Sequence, residues 1–221
     1  ASFGGALRLV QPRLGHRMGT DAVLLAAACP AGAGDVCDLG AGAGAVGLRL
    51  AQIAPGRRVA LVEKDAAVSA LAAANAAANS LVDRVTIVEA DILAKGFAGQ
   101  GSALAGRFDA VLSNPPFGEA GRMRASPVAR RAAAHVLDGD LDAWVRAAVR
   151  LLAAGGDLVM IHRADRIADV LAAMARRFGG LRLRFVHPRA DAPAHRLLIA
   201  GRKGSRAPLS VLSPLILHEP G

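Results

Sequence analysis

Apolar positions along the chain alternate between two spacings. Short, mainly apolar runs at 36–39, 59–63, 85–88, 110–112 and 158–161 read as buried strands, because a run without polar alternation needs cover on both faces. Helical spacing separates them. Val46, Leu50 and Ile53 form one apolar face as far as Pro55, and the alanine-rich stretch 65–79 supplies the next helix. Leu141, Trp144, Val145, Ala148, Val149 and Leu152 fall on one side of a helix that Gly155-Gly156 is expected to close. Ile167, Val170, Leu171, Met174 and Phe178 repeat that spacing up to Gly179-Gly180.

The two ends follow a different pattern. Leu7-Arg8-Leu9-Val10 alternates before Pro12 and predicts an N-terminal strand or hairpin. Thr20 or Asp21 is placed to N-cap a helix over 23–28, stopped by Pro30. Late in the chain, Leu181, Leu183 and Phe185 alternate with arginines, the mark of a strand with one buried face, and 196–200 is another strand. Val211-Leu212 and Leu215-Ile216-Leu217, punctuated by prolines, are expected to pack back on the domain. The stretches 94–106 and 118–135 read as loops. Strand and helix alternate five times before strands cluster, which predicts an α/β fold. The expected architecture is a doubly wound, Rossmann-like sheet of seven mostly parallel strands with a late antiparallel one. It forms one domain over 1–221, with an N-terminal extension at 1–30, a core at 34–202 and a tail at 203–221.

Composition narrows the class. The hydrophobic share of 53% is inflated by alanine. No apolar stretch approaches the roughly 20 uncharged residues of a membrane span. The start lacks a basic segment followed by an apolar one, so no signal peptide is expected. Two cysteines, Cys29 and Cys37, make no disulfide framework and suit a reducing cytoplasm. The net charge of +9 is unevenly spread, with nine basic residues from Arg176 to Arg206 against the single acid Asp191. Arg122, Arg124, Arg130 and Arg131 form a second basic group. A polyanionic partner is implied.

Candidate chemistry begins where the fourth strand stops, at Asn114-Pro115-Pro116-Phe117. Neither proline has an N–H for a ladder, and Pro115 drives Asn114 towards extended backbone, so the amide stands on a stiff arm at the strand's end. Ligands of open parallel sheets bind at that end. Asn114 Oδ1 and the Pro115 carbonyl can each accept one hydrogen of a planar group's amine, while Phe117 stacks on its ring. A plain proline turn anchored by a buried Phe would look the same in isolation.

The glycine loop Asp38-Leu39-Gly40-Ala41-Gly42-Ala43-Gly44 bridges the first strand and the next helix. The segment 42–47 also matches the G-x-G-x-x-G dinucleotide fingerprint, and Glu63 stands where a ribose acid would. Asp38 separates the two readings. Its carboxylate would repel a pyrophosphate, whereas S-adenosylmethionine brings a sulfonium and an ammonium; a strand-end Asp that only caps the loop is the alternative. Glu63 is expected on the ribose hydroxyls and Asp91 on the adenine amino group. No metal is expected.

The order Asp38 to Gly44, Glu63, Asp91, Asn114-Pro115-Pro116-Phe117 resembles the class I S-adenosylmethionine-dependent methyltransferases, in the branch that methylates exocyclic or amide nitrogen. The stretch 11–25, the segment 131–135 and Lys203-Gly204-Ser205-Arg206 are similar to the tRNA(Val) adenine-N6 methyltransferase family. That resemblance implies methyl transfer to N6 of an adenine beside the anticodon of a tRNA. It adds Thr20 to the cofactor set and Lys203 to the substrate set. Arg122, Arg124 and Arg130 join the substrate set by position, because the loop after the fourth strand leaves the carboxyl edge on the cofactor side, and His135 is placed either to touch RNA phosphate or to end a helix. Lys203 follows a strand expected to run antiparallel, which sends it to the opposite edge unless the tail folds back over the cleft. Phe117 stands where better-known members carry Tyr, and Gly118 where they carry a second aromatic. Guanine N2 of rRNA, DNA adenine and protein glutamine stay open as acceptors, as does a non-catalytic nucleic-acid-binding module.

Overall fold

A computed structural model describes Gly5 and residues 7–11, 19–32, 34–94, 102–115 and 141–218. Five helices and nine strands are present among them: α1 (Thr20–Ala27), β1 (Val36–Leu39), α2 (Ala45–Ile53), β2 (Val59–Glu63), α3 (Ala66–Ala78), β3 (Val85–Glu89), β4 (Phe108–Ser113), α4 (141–151), β5 (Leu152–Arg163), α5 (Ile167–Met174), β6 (Phe178–His187), β7 (Arg196–Lys203), β8 (Ser210–Val211) and β9 (Leu215–Ile216). One sheet holds every strand in the order β3-β2-β1-β4-β5-β7-β6-β8, with β9 also on β6. β7 runs antiparallel to both β5 and β6, and the remaining pairs are parallel. The seven long strands are those expected from the apolar runs. The two short ones are the tail, which returns to the sheet edge as predicted.

Alternation along each strand divides the interior into two cores. Cys37, Leu39, Val111, Leu158 and Met160 face Val145 and Leu151 of α4 and Val170 and Met174 of α5. Val36, Leu112, Val159 and Ile161 face Leu25 of α1, Leu48 of α2 and Ala72 of α3. Both faces of β1 and β4 are therefore dry, which is why their sequences show apolar runs rather than alternation. No helix of the described residues is long and apolar enough to cross a membrane.

Four local expectations are corrected. Gly155-Gly156 does not close α4, which ends at residue 151. The amides of Gly106 and Arg107 take the carbonyls of Arg150 and Leu151 at 2.8 and 3.0 Å, so neighbouring chain stops the helix. The glycines instead sit in an irregularity of β5, where pairing steps from Phe108–Leu152 to Ala110–Asp157. Gly179-Gly180 likewise lies inside β6. Its helix has already ended after Met174, where Arg177 N–H donates to the Met174 carbonyl at 2.9 Å and the Arg177 guanidinium to that of Ala173 at 2.9 Å. Neither Thr20 nor Asp21 caps α1, because Gly19 is the N-cap and no side chain bonds there.

The N-terminal alternation makes no hairpin among the described residues. Residues 8–11 lie outside any strand, and two asparagine side chains of the α3 region pair their backbone instead. Asn79 accepts from Arg8 N at 2.9 Å and donates to Arg8 O at 2.7 Å. Asn75 accepts from Val10 N at 2.7 Å and donates to Val10 O at 2.9 Å. Each amide offers a donor and an acceptor, as a neighbouring strand would.

Candidate active site

Topology brings the site together at one edge. β1 pairs with β2 on one side and β4 on the other, all parallel, so the chain reverses its winding between β1 and β4. Leu39 is in register with Val62 and with Ser113. Gly40, Glu63 and Asn114 thus stand one step past, or at, the carboxyl ends of three adjacent strands. Strands lie about 4.8 Å apart, which separates Glu63 from Asn114 by about 10 Å. Asp91 follows the next strand, β3.

Asp38 is 2% exposed and points to the α2 face. Its Oδ2 accepts the amide N–H of Gly47 at 2.8 Å, an otherwise unpaired donor of the first turn of α2. Gly44, the N-cap itself, has no side chain to do this. A side chain at Gly47 would hold helix and strand apart, since an added Cβ would come within 2.2 Å of Leu61 and 3.2 Å of the Asp38 Cβ. Burial pushes the Asp38 carboxyl up to about 7; the Gly47 bond pulls it down and the nearby Glu63 charge adds to the rise. The alternative reading of Asp38, a cap, is thus present in part, at the first turn of α2, and the same carboxylate is a buried charge that a cation would stabilise.

Gly40, Gly42 and Gly44 all have positive φ, 74°, 55° and 88°. The loop they form is fastened at its turns. Gly40 N–H and Ala41 N–H both donate to Val62 O, and Gly42 N–H donates to Glu63 Oε2 at 3.0 Å. Glu63 Oε1 takes the amides of Lys64 and Asp65 at 2.9 and 3.0 Å. Three of the roughly four acceptor positions of a carboxylate are thereby filled, leaving about one for a ligand hydroxyl. Asp91 Oδ1 accepts Leu93 N–H at 2.9 Å in a local turn, and its residue is exposed.

At the end of β4 the contrast is sharp. Asn114 Oδ1 is buried and has no hydrogen-bond partner among the described residues. An orphaned amide oxygen is costly unless something donates to it. Residues 18–185 match the family described as methyltransferase small domain. The chain belongs to that family.

Similarity to individual proteins runs in the same direction. The chain is 38% identical over 161 residues to the tRNA1(Val) (adenine(37)-N6)-methyltransferase of Porphyromonas gingivalis, covering 70% of this chain and 61% of that protein. The chain thus spans about three fifths of that relative. To the enzyme of the same name from Dickeya chrysanthemi it is 33% identical over 204 residues, 91% of this chain and 78% of the other. A crystal structure of a predicted O-methyltransferase, protein Atu636 from Agrobacterium tumefaciens, superposes with a TM-score of 0.76 at 32% identity, over 91% of this chain and 89% of that one. The fold is the Rossmann-like class I methyltransferase fold, and S-adenosyl-L-methionine is the cofactor that fold and family imply. The residues present fit it: a glycine loop fastened by the Val62 carbonyl and Glu63, a buried Asp38 suited to a positive ligand, and Glu63 at the next strand end.

This methyltransferase domain does not gather every expected residue. Thr20 opens α1 at the carboxyl edge, where its neighbour Asp21 pairs with Arg196 at 2.9 Å and Arg196 lies opposite Arg163, the last residue of β5. Lys203 lies at the other edge, paired with Phe178 at the start of β6. Its ammonium donates to the carbonyls of Val149 and Leu152 at 2.8 and 2.6 Å, closing the end of α4. Pro115 is buried directly after Asn114. Pro116, Phe117, Arg122, Arg124, Arg130 and His135 lie outside the described residues.

Three contributors escape a sequence reading. Ser113, directly before Asn114, donates its hydroxyl to Leu39 O at 2.9 Å and accepts Trp144 Nε1–H at 2.8 Å. Asn75 donates to Ala43 O in the glycine loop at 2.9 Å. Trp144 carries the helical spacing of a core residue, and only its polar edge hints at more. A lone asparagine inside an alanine-rich helix is a usable signal for Asn75, because burial there demands partners.

Proposed function

We propose that this chain transfers a methyl group to the exocyclic N6 of an adenine in the anticodon loop of a tRNA. The observation that carries the reading is Asn114 Oδ1, buried, without a hydrogen-bond partner among the described residues, and set at the end of β4 one strand from the glycine loop. An exocyclic amine has two hydrogens and a lone pair delocalised into its ring. Asn114 Oδ1 accepts one hydrogen and the Pro115 carbonyl the other, which draws the nitrogen towards tetrahedral geometry and frees the lone pair. S-adenosylmethionine, when bound, supplies an electrophilic methyl group. Asp38 and Glu63 orient it, and no strong base is required, because the methylated nitrogen loses its proton to water. Positioning and fixed dipoles carry the rate.

Several features support tRNA as the acceptor. The relatives named above carry tRNA1(Val) adenine(37) in their names. A net charge of +9 suits a polyanion. Phe117, two residues past Pro115, supplies the ring on which an unstacked base rests. The Agrobacterium protein is described as a predicted O-methyltransferase, yet a hydroxyl brings one hydrogen where two acceptors stand ready. A cytoplasmic location follows from the tRNA substrate and suits Cys29 and Cys37, which are free thiols.

Tritium transfer from labelled S-adenosylmethionine to tRNA, rRNA, DNA and protein fractions tests the proposal, with nucleoside analysis of the labelled product. The expected product is N6-methyladenosine in tRNA, lost in Asn114→Ala. Label in N2-methylguanosine or in protein would overturn the substrate, and an Asn114→Ala enzyme within about tenfold of wild type would overturn the role of the amide.

A further inference from the structure

Trp144 is the only tryptophan of the chain. It lies on α4 among Leu141, Val145 and Ala148, which alone would make it ordinary core. Two contacts set it apart. Its Nε1–H donates to Ser113 Oγ at 2.8 Å, and that hydroxyl donates onward to Leu39 O at 2.9 Å. Its ring also lies against Gly40, where an added Cβ would come within 2.8 Å of Cζ2 and 2.9 Å of Cη2.

Ser113 and Leu39 are register partners at the ends of β4 and β1. The next residue on one strand is Asn114 and on the other is Gly40. One indole therefore touches both halves of the site: its N–H edge holds the strand end that carries the amine acceptor, and its benzo edge holds the first turn of the glycine loop. The relation between donor and acceptor groups passes through this ring, because Gly40 at φ 74° leaves room for it and any larger residue would displace it.

We propose that Trp144 is a positioning residue that fixes Asn114 relative to the glycine loop, through Ser113 on one side and Gly40 on the other. It rests on the methyl-transfer reading above and deepens it. A misplacement of about 1 Å costs on the order of a hundredfold in a reaction governed by alignment, so the effect belongs in kcat. Loss of the Trp144–Ser113 bond alone leaves a ring over Gly40 and leaves Asp38 and Glu63 untouched, so it spares cofactor affinity.

The test uses the full chain and whichever acceptor the wild type methylates, so that an acceptor other than tRNA overturns the proposed substrate and leaves this test intact. Trp144→Phe keeps a ring over Gly40 and removes the N–H. Ser113→Ala removes the shared hydroxyl without touching α4, and serves if the first variant fails to fold. Either should lower kcat by at least about tenfold while the KM for S-adenosylmethionine moves by less than about threefold. A kcat within threefold of wild type, or a KM rising in step with a falling kcat, overturns the proposal. A second readout needs no turnover. Titrating wild type with S-adenosylhomocysteine should change Trp144 fluorescence, with a midpoint equal to the calorimetric Kd. No change at saturation would overturn the seating of the ring against the loop.

Discussion

Asn75 donates a hydrogen bond to the carbonyl of Ala43 at 2.9 Å, and so ties α3 directly to the glycine loop. The same amide pairs both backbone groups of Val10. One side chain, 1% exposed, thus joins the N-terminal segment, a helix and the cofactor loop.

Asn75→Ala should cost about 2 kcal/mol in chemical denaturation, since it strands part-buried backbone groups on two segments. It should also weaken S-adenosylhomocysteine several-fold, because the loop loses a fixed point. Asn79→Ala removes the same kind of pairing from Arg8 but does not reach the loop. It should lower stability less and leave cofactor affinity alone. Equal effects on affinity from the two variants would separate the loop from the asparagine.

Much of this arrangement is legible in the residues before any fold is known. Apolar runs such as 110–112 and 158–161 mark core strands because both sheet faces are covered there. Asp38, Glu63 and Asn114 share one edge because successive parallel strands end on the same side. What stays hidden depends on contacts remote in sequence. Gly155-Gly156 looks like a helix stop, yet α4 is stopped by Gly106, Arg107 and Lys203, from chain about 45 residues before it and 50 after. Residues 7–10 look like a strand because they alternate, yet the backbone of Arg8 and Val10 is paired by the side chains of Asn79, the C-cap of α3, and Asn75 within it. The edge on which Lys203 emerges follows from the antiparallel strand expected there, but its carbonyl partners at the end of α4 do not show in the sequence.

The position of Lys203 gives a test of its own. Its ammonium sits on the carbonyl of Val149 in the last turn of α4 and on that of Leu152 just past it, where a cation also meets the negative end of the helix. Lys203→Met should lower stability by about 1.5–3 kcal/mol, the range for a hydrogen bond to a charged group. The slope of log affinity for RNA against log salt should not move. A slope flatter by about 0.7 to 0.9 would show instead that Lys203 meets a phosphate.

Asp38 should make both stability and cofactor affinity depend on pH. Its folded value of about 7 lies above the ordinary 3.8, so the folded chain holds a proton that the unfolded chain has already lost. Between about pH 4 and 7 stability therefore falls as pH rises, and above 7 this contribution is flat. A cation bound beside Asp38 favours the carboxylate, so affinity for S-adenosylmethionine should climb with pH up to 7, approaching tenfold per unit in the limit. Asp38→Asn keeps an acceptor for Gly47 and removes the proton. Calorimetry across pH 5.5 to 8.5 should show the climb in wild type and none in the variant, and an identical climb in both would assign it to another group.

Glu63 offers the sharpest test of the glycine loop. Three amide N–H groups converge on its two oxygens, from Gly42 on one side and from Lys64 and Asp65 on the other. A glutamine has one oxygen and one NH2, so either orientation turns donors against a donor. Glu63→Gln should therefore free the loop at Gly42 or the turn at Lys64, at a cost of roughly 1–3 kcal/mol, even though the side chain keeps its shape. Affinity for S-adenosylhomocysteine should fall at least about tenfold, and RNA affinity should hold, because the loop and not the basic surface is disturbed. Parallel titrations with NAD decide what the loop is for. The segment 42–47 matches the dinucleotide fingerprint, but Asp38 lies buried beside it with a carboxylate that no pyrophosphate would tolerate. Wild type should bind S-adenosylhomocysteine and ignore NAD. Binding of NAD, lost in Glu63→Gln while S-adenosylhomocysteine binds neither protein, would mean that the buried carboxylate is only the cap of α2.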